Sequence, residues 1–223
     1  IANVSHEIRT PLNAIIGITE LILQKPKDKV LSTQLEHISH AGRGLLSLIN
    51  ELLLVSKINA NKLTLNPSSQ SLTKCLVNNF ELHKNKADEK GLSYSVELNL
   101  PDNNRYHFDH LKLGQVIQNL LSNSLKFTTT GAIKLSASLY SSSYNSDIVY
   151  IKVVDTGIGI PNENLESVFN DFEQASNNET GEYGGTGLGL SIVKNILALM
   201  GSNIELESKN GTTKFEFYLK LLK

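Results

Sequence analysis

The stretch Val149-Tyr-Ile-Lys-Val-Val-Asp155, continued by Thr156-Gly-Ile-Gly-Ile160, decides the fold of the second half of the chain. Its β-branched residues predict a strand that ends on the carboxylate of Asp155. The glycines that follow allow the backbone to approach a ligand closely. The stretch therefore favours a flat, polar ligand, and Asp155 suits the exocyclic amine of a base such as adenine.

Two other interpretations of this stretch remain open when it is taken alone. It can be an ordinary strand with a glycine turn, and Val-Val-Asp-Thr-Gly also resembles the active-site strand of an aspartic protease. That family needs two such carboxylates in one site, whereas the chain holds one copy of the motif. A homodimer would have to supply the second, as in retroviral proteases, which are all-β and shorter.

The segment 110–126 has the pattern of an amphipathic helix. Leucine and isoleucine occupy one face, and a narrow polar stripe runs along the other: Lys112, Gln115, Asn119, Asn123 and Lys126. Amides are a poor choice for a plain solvated surface, which usually carries Glu and Lys. Neutral oxygens suit Mg²⁺, and a lysine can reach a phosphate. A solvated polar stripe is the alternative interpretation.

Downstream, Gly184-Gly-Thr-Gly-Leu-Gly-Leu190 leads into an apolar helix. A glycine-rich backbone that opens a helix cradles phosphate through its N–H groups and the helix dipole. The pattern is neither the dinucleotide-binding G-x-G-x-x-G after a strand nor a Walker loop. The polar segment 173–183 before it is predicted to be a mobile lid.

Around these motifs the pattern predicts helices mixed with strands, which together make an α/β sandwich over residues 66–223. The predicted helices are 71–88, 109–126, 162–170 and 188–200, and the predicted strands are 92–98, 132–140, 148–154, 203–207 and 214–219. Residues 66–70 are predicted to be a linker, and residues 141–146 a hairpin loop.

Residues 1–65 predict a second domain, an antiparallel hairpin of two helices broken near Pro26. Each helix carries an apolar seam with a period of seven residues. The first seam is Ile1, Ile8, Ile15 and Ile22 with Val4, Pro11 and Ile18; the second is Leu31, Ile38, Leu45 and Leu52 with Leu35, Leu48, Ile49 and Val55. One hairpin cannot bury both seams, so we expect a dimeric four-helix bundle.

His6 falls at the heptad position farthest from the first seam, which predicts an exposed imidazole. The adjacent Glu7 can fix its tautomer, so that the other ring nitrogen presents a lone pair as a nucleophile. Pro11 is expected to bend the helix beside it. A plain solvated histidine is the alternative for His6, and it is our interpretation of the other five: His37, His40, His83, His107 and His110.

The composition excludes several classes of partner and site. A net charge of -1 over 223 residues gives no electrostatic case for nucleic acid or an anionic membrane surface. The single cysteine, Cys75, excludes an intrachain disulfide and fits a cytoplasmic setting. No run of about 18 apolar residues is present. Because the chain opens on Ile1, we expect a fragment of a longer protein, which is compatible with a membrane anchor elsewhere.

Together these motifs resemble the sensor histidine kinases of two-component signalling, across essentially the whole chain. The five matching boxes stand in order: Ser5-His-Glu-Ile-Arg-Thr-Pro-Leu12 as the H box, Asn119-Leu-Leu-Ser-Asn123 with Lys126 and Phe127 as the N box, Asp155-Thr-Gly-Ile-Gly159 as the first glycine box, Phe169 and Phe172 as the F box, and Gly185-Thr-Gly-Leu-Gly189 as the second glycine box. Any one box is a weak signal, and five at suitable spacing are specific.

The resemblance implies a dimerisation and histidine phosphotransfer domain followed by a Bergerat-type ATP-binding domain. It implies that Nε2 of His6 attacks the γ-phosphate, with Glu7 as general base and Thr10 positioning water for phosphatase activity. Asn119 would ligate Mg²⁺ and Asp155 would read adenine. The other residues that it places at the nucleotide are Asn123, Lys126, Phe127, Gly157, Gly159, Ile160, Phe172, Tyr183, Gly185, Thr186, Gly187, Leu188 and Gly189.

The resemblance also implies transfer of the phosphoryl group to an aspartate of a response-regulator receiver domain. Glu182 and Tyr183 stand where many relatives carry a basic residue, which removes a lid contact to the γ-phosphate. Ser124 replaces a usual alanine and Ser202 a usual glycine, both as tolerated changes. Two alternatives remain: a phosphatase or non-catalytic scaffold, which the acidic lid favours, and a chaperone-type or mismatch-repair-type ATPase, against which the H box argues.

Overall fold

The computed structural model describes residues 2–23, 29–101, 105–173 and 186–223, and the side chains of residues 2–11 and 29 are outside the description. The chain divides into two compact units, Ile1–Leu63 and Thr64–Lys223, each of which is described by itself. The predicted break at residues 25–28 and the predicted lid beyond residue 173 lie outside the described residues.

The first unit is a helical hairpin of α1 (Ala2–Leu23) and α2 (Lys29–Asn59). Pro11 does not interrupt α1, which is assigned as one continuous helix. The two helices pack through a small apolar cluster of Leu12, Ile16 and Ile49, with Leu46 and Leu53 at its margin. Gly42 is also buried at this contact, and a Cβ there would lie 2.9 Å from Cγ1 of Ile16. The absence of a side chain therefore sets how closely the helices approach.

The predicted seams lie mainly outside this contact between the two helices. Of the seam residues whose side chains are described, Ile49 and Val55 are buried and Leu35 is half-buried, whereas Ile15, Ile18, Ile22, Leu31, Ile38, Leu45, Leu48 and Leu52 are exposed. Among the seam residues whose side chains are described, the hairpin thus keeps most on its surface, because its own interface uses the neighbouring face of each helix.

The second unit contains four α-helices and seven strands among its described residues. The helices are α3 (Leu72–Glu81), α4 (Lys84–Glu89), α5 (His110–Phe127) and α6 (Gly189–Leu199). The strands are β1 (Ser68–Ser71), β2 (Ser93–Asn99), β3 (Arg105–Phe108), β4 (Ala132–Ser142), β5 (Ser146–Asp155), β6 (Ile204–Lys209) and β7 (Thr212–Leu222).

The strands form one mixed sheet in the order β1-β3-β7-β5-β4-β2, with β6 also paired to β7. Only the β2–β4 pair is parallel within the described part of the chain. Burial alternates strictly along β5, where one set of residues is buried and the next is half-buried. The helices α3, α5 and α6 pack along the buried side, so the predicted helical hairpin followed by an α/β sandwich is confirmed.

Helix α5 lies at the centre of this sandwich, and the predicted division of its faces is confirmed. Leu113, Ile117, Leu121 and Leu125 are fully buried, whereas the members of the polar stripe are half-buried. Asp109 caps the helix, since its Oδ1 accepts hydrogen bonds from the backbone N–H groups of Leu111 and Lys112 at 3.1 and 3.0 Å. The stripe is therefore presented along the open side of a rigid, capped helix.

Three local predictions were wrong. The predicted linker 66–70 contributes to β1, in which Ser68 to Ser71 pair with Phe108 to Arg105. A serine-rich segment has low strand propensity, so backbone pairing with β3 overrides it. The predicted helix 71–88 is interrupted between α3 and α4, and the predicted helix 162–170 is two short 3₁₀ turns, Asn162–Asn164 and Ser167–Phe169.

Candidate functional site

The carboxylate of Asp155 lies at the end of β5 and is 4% exposed. Its Oδ2 accepts a hydrogen bond from the hydroxyl of Ser124 at 2.8 Å, and its Oδ1 accepts one from the backbone N–H of Gly157 at 3.0 Å. Both partners are neutral donors. The carboxylate is therefore held in one orientation by α5 on one side and by its own glycine turn on the other.

Burial raises the pKa of Asp155, and the hydrogen bonds from Ser124 and Gly157 lower it in part, as does the proximity of the Thr128 hydroxyl. The Thr128 hydroxyl is itself buried and forms no hydrogen bond of normal geometry within the described residues. An unpaired buried hydroxyl is costly. A buried acceptor beside an unsatisfied hydroxyl fits the polar edge of adenine, which offers both a donor amine and ring-nitrogen acceptors.

The first glycine box packs directly on the end of α5. A Cβ at Gly157 would lie 2.6 Å from the backbone oxygen of Phe127, and the N–H of Ile158 donates to that oxygen at 3.2 Å. On the other side, the N–H of Ile160 donates to the hydroxyl of Ser208 at 2.8 Å. Glycine is therefore required at position 157, because any side chain would separate the box from the helix.

Asn119, in the middle of the polar stripe, connects α5 to the second glycine box. Its Nδ2 donates to the backbone oxygen of Gly189 at 3.1 Å, and Gly189 is the first residue of α6. Because the amide nitrogen is engaged in this bond, the Oδ1 atom is the group that remains to accept or ligate. Leu188 is buried, and its N–H donates to the Thr186 hydroxyl at 3.0 Å, which shapes the start of the helix.

Lys126 and Asn123 lie on the same half-buried stripe of α5, towards its C-terminal end. The Lys126 ammonium is 4.5 Å from the centroid of the Phe127 ring, and partial burial lowers the pKa of this lysine. A partly desolvated cation interacts more strongly with an anion than a fully solvated one does. The C-terminal part of the stripe therefore offers the two amides of Asn119 and Asn123 and the cation of Lys126.

Phe172 of the F box contacts the second glycine box through its backbone. Its N–H donates to the backbone oxygen of Gly187 at 3.1 Å, and both residues have positive φ angles, 66° and 70°. A Cβ at Gly187 would lie 2.7 Å from the carbonyl carbon of Phe172. This contact joins the two described ends of the chain on either side of residues 174–185.

Some of the predicted site residues cannot be placed. His6, Glu7 and Thr10 lie on α1, but their side chains are outside the description, and Tyr183 and Gly185 lie outside the described residues. The structure places most of the others along α5 in two sets: Phe127, Asp155, Gly157 and Ile160 at its C-terminal end, and Asn119, Leu188 and Gly189 near its middle. The role of each residue stays a prediction.

Four residues that the sequence did not single out as functional support the site. Ser124 and Thr128 approach the Asp155 carboxylate, and the buried Thr213 stands opposite Asp155 in the β5–β7 register. The Lys90 ammonium donates to the backbone oxygens of Leu125 at 2.5 Å and Thr128 at 3.3 Å, and so caps α5. A serine at position 124, on the otherwise apolar face of α5, was the one available signal.

Within the described residues, no group of three or more His, Cys, Asp or Glu side chains is arranged to hold a metal ion. The amide oxygen of Asn119 is a neutral oxygen of the kind that Mg²⁺ accepts, and Mg²⁺ takes few protein ligands. In the part of the chain that is described, no helix is both long and apolar enough to cross a membrane.

Two family models match the chain, in the order of the two units. The His Kinase A (phospho-acceptor) domain matches residues 1–61, and the "Histidine kinase-, DNA gyrase B-, and HSP90-like ATPase" model matches residues 108–223. The second match covers the whole constellation around Asp155. A mixed sheet under helices also excludes the all-β protease interpretation of the Val-Val-Asp-Thr-Gly motif.

Curated relatives agree with this assignment. The autoinducer 2 sensor kinase/phosphatase LuxQ of Vibrio vulnificus is 37% identical over 225 residues, which is 99% of this chain and 26% of LuxQ. The signal transduction histidine-protein kinase BarA of Escherichia coli is 36% identical over 227 residues, 99% of this chain and 24% of BarA. The chain thus spans about a quarter of the length of these relatives.

Solved structures show the same architecture. Full-length ShkA in complex with AMPPNP matches 100% of this chain and 45% of its own chain, with a TM-score of 0.79 and 28% identity. The catalytic domain of histidine kinase ThkA matches 69% of this chain and 95% of its own chain, with a TM-score of 0.57 and 26% identity. The chain therefore belongs to the histidine kinases, as its five motifs predicted, with a phospho-acceptor domain followed by an ATPase domain.

Proposed function

We propose that this chain is an autophosphorylating kinase that transfers the γ-phosphoryl group of Mg-ATP to His6. The observation that carries the proposal is the buried Asp155 carboxylate, held by two neutral donors at the start of the first glycine box. A buried charge without a cationic partner is costly. An amine of a neutral base is a suitable partner, since it donates a hydrogen bond without bringing a second charge.

The reaction is a displacement at phosphorus. The lone pair of His6 Nε2 forms the N–P bond as the bond from phosphorus to the bridging oxygen breaks, and ADP leaves. Glu7 takes the proton from Nδ1, so the imidazole does not accumulate positive charge. The ATPase domain contributes by positioning the nucleotide and neutralising its charge.

The phosphates are assigned to the polar stripe and the second glycine box. Asn119 would ligate Mg²⁺ through Oδ1, because its Nδ2 is engaged with Gly189. Asn123 and Lys126 would face the phosphate oxygens, and the start of α6 would offer them backbone N–H groups and the positive end of its dipole. Bound Mg²⁺ supplies neutralisation of the charge that builds up on the phosphates.

We further propose that the hairpin forms a homodimer through residues 1–60, which the exposed seams support. Phospho-His6 would then donate to an aspartate of a response-regulator receiver domain. Thr10 would serve the opposing activity, hydrolysis of the receiver's aspartyl phosphate to inorganic phosphate, by positioning the attacking water, in keeping with the name kinase/phosphatase carried by the relative LuxQ. We place this fragment in the cytoplasm, where Cys75 stays reduced.

The test is incubation of the chain with ATP labelled in its γ-phosphate. Phosphohistidine predicts label that is lost in acid and retained in alkali. Asn119→Asp should reduce incorporation about tenfold or more, because it removes the amide that orients the metal ligand and adds charge beside a carbonyl. Asn78→Asp, the same change at an exposed asparagine of α3, should leave the rate nearly unchanged. Acid-stable label, or equal rates for the two variants, would contradict the proposal.

A further inference from the structure

Ser124 is a polar residue on the buried side of α5. It is 1% exposed, and its neighbours along this side of the helix, Leu121 and Leu125, are buried leucines. A buried hydroxyl costs free energy unless it is hydrogen-bonded. Its observed partner is Oδ2 of Asp155 at 2.8 Å, and both atoms lie in the interior. Histidine kinases usually carry an alanine at this position, and an alanine could not make this hydrogen bond.

The carboxylate of Asp155 can accept about four hydrogen bonds, two at each oxygen. The N–H of Gly157 occupies one site on Oδ1 and the Ser124 hydroxyl occupies one on Oδ2. One site remains on each oxygen. With both oxygens tied, the group cannot rotate about its terminal torsion without breaking a bond to α5 or to the glycine turn, so the directions of the remaining lone pairs are fixed.

We propose that Ser124 is a positioning residue that orients the Asp155 carboxylate towards the exocyclic amine of adenine and so selects purine nucleotides that carry this amine. It acts through Asp155 without touching the nucleotide. The inference rests on the proposed function, in which Asp155 contacts that amine.

The hydrogen bond also keeps the carboxylate in its accepting form. Burial raises the pKa of Asp155, and the bond from Ser124 is the first of the contacts that oppose this rise. The groups described next to the carboxylate are the Ser124 hydroxyl, the N–H of Gly157 and the nearby Thr128 hydroxyl, and none of them carries a charge or titrates in the working range. Loss of the Ser124 hydroxyl thus leaves a group that is less well oriented and more easily protonated, while the phosphate contacts of the nucleotide are unchanged.

The experiment compares two nucleotides on the full chain by titration calorimetry: ATP, and purine riboside triphosphate, which has hydrogen in place of the amine. For Ser124→Ala we expect the Kd for ATP to rise about five- to twentyfold, because a carboxylate that can rotate no longer directs a lone pair at the amine, and the amine then loses most of a hydrogen bond to a charged acceptor. The Kd for the analogue should change less than about twofold, because no amine is read. Ser124→Cys keeps the volume but donates weakly, so it should show the same selective loss with folding preserved.

Asp155→Ala separates this inference from the proposed function. It should bind ATP and the analogue equally, and a preference for ATP that survives this substitution would show that Asp155 does not read adenine. If Asp155→Ala removes the preference while Ser124→Ala and Ser124→Cys retain it, the positioning role alone is wrong. Equal weakening of both nucleotides by the Ser124 variants would also overturn it, because a purely structural serine would act on both.

Discussion

The hairpin and the ATPase unit differ in how far their apolar side chains are exposed. In the unit Thr64–Lys223 the central leucines, isoleucines and valines of α5, α6 and the sheet are fully buried. In the hairpin, Ile15 is 48% exposed and Leu45 is 47% exposed, although both lie on regular seams. Burial of one such side chain stabilises a fold by about 1.5–3 kcal/mol. The ATPase unit thus has a buried apolar core of its own, whereas the hairpin leaves an apolar surface exposed, which supports the proposed dimer.

This difference assigns different tasks to the two units. The nucleotide constellation is fixed by bonds inside one packed unit, such as Ser124 to Asp155 and Asn119 to Gly189. His6 lies on α1, whose described seam residues are exposed, which supports the proposed dimer. Substitutions should therefore separate the two tasks, and changes in the hairpin should alter association while changes at the glycine boxes alter nucleotide binding.

The largest effect is expected for Leu45→Lys. In a dimeric bundle each copy would bury one lysine charge at the seam, and the core would lose two leucine side chains. We expect the dimer dissociation constant to rise about a hundredfold or more. Analytical ultracentrifugation over a range of concentrations measures it, and the affinity for ATP should stay unchanged.

The matched control is Leu82→Lys, the same change at a leucine that is 68% exposed in the ATPase unit. It should leave the association state as it is in the parent chain. Equal dimerisation of the Leu45→Lys and Leu82→Lys chains would remove the difference between the two units.

A smaller effect is expected for Gly187→Ala, which acts on the ATPase unit alone. The residue has φ of 70°, and its Cβ would meet the backbone of Phe172 at 2.7 Å. We expect a loss of about 2–3 kcal/mol in the free energy of unfolding and about tenfold weaker ATP binding, measured by thermal unfolding and calorimetry.

Gly91→Ala is the control for this change, because Gly91 has a similar φ of 66° with open space around it. It carries the backbone penalty of about 1 kcal/mol and no steric one. A Gly187→Ala chain no less stable than the Gly91→Ala chain would show that the close contact between the F box and the second glycine box is not needed.

The smallest effect is a pH dependence of the preference for ATP. Burial raises the pKa of Asp155, so the carboxylate takes up a proton at a higher pH than an ordinary aspartate does. The protonated group accepts the amine less well. The ratio of the affinities for ATP and purine riboside triphosphate should fall a few-fold between about pH 7 and pH 5. Protonation of the triphosphate does not affect this ratio, because both nucleotides carry the same triphosphate. A constant ratio would argue against the amine contact.

Sequence periodicity predicted the helices and strands in which one face is buried and the opposite face is not. The apolar face of α5 and the alternation of β5 were readable because one side packs on a core and the other does not. The strand β1 was missed because its serines gain their conformation from pairing with β3. The short turns at 162–169 were predicted as a helix because too few residues stand there to distinguish the two patterns.

The residues of the candidate site also divide into those that the sequence predicted and those that it missed. The glycine boxes and the Asp155 carboxylate were predicted from the sequence, because closely spaced glycines after a strand that ends on a carboxylate form a recognisable pattern. The partners of the carboxylate were not, because Ser124 and Thr128 are brought to it by the packing of α5 on β5. The seams predicted a second copy, but the face on which the two helices meet depends on Gly42, whose lack of a side chain allows the close approach.

The most direct test of the account is the transfer of label from γ-labelled ATP to three chains: the parent, His6→Gln and His40→Gln. His40 is an exposed histidine of α2 and serves as the matched control. The account predicts acid-labile label on the parent and on His40→Gln, and none on His6→Gln, whose affinity for ATP stays unchanged. Label that survives on His6→Gln would contradict it.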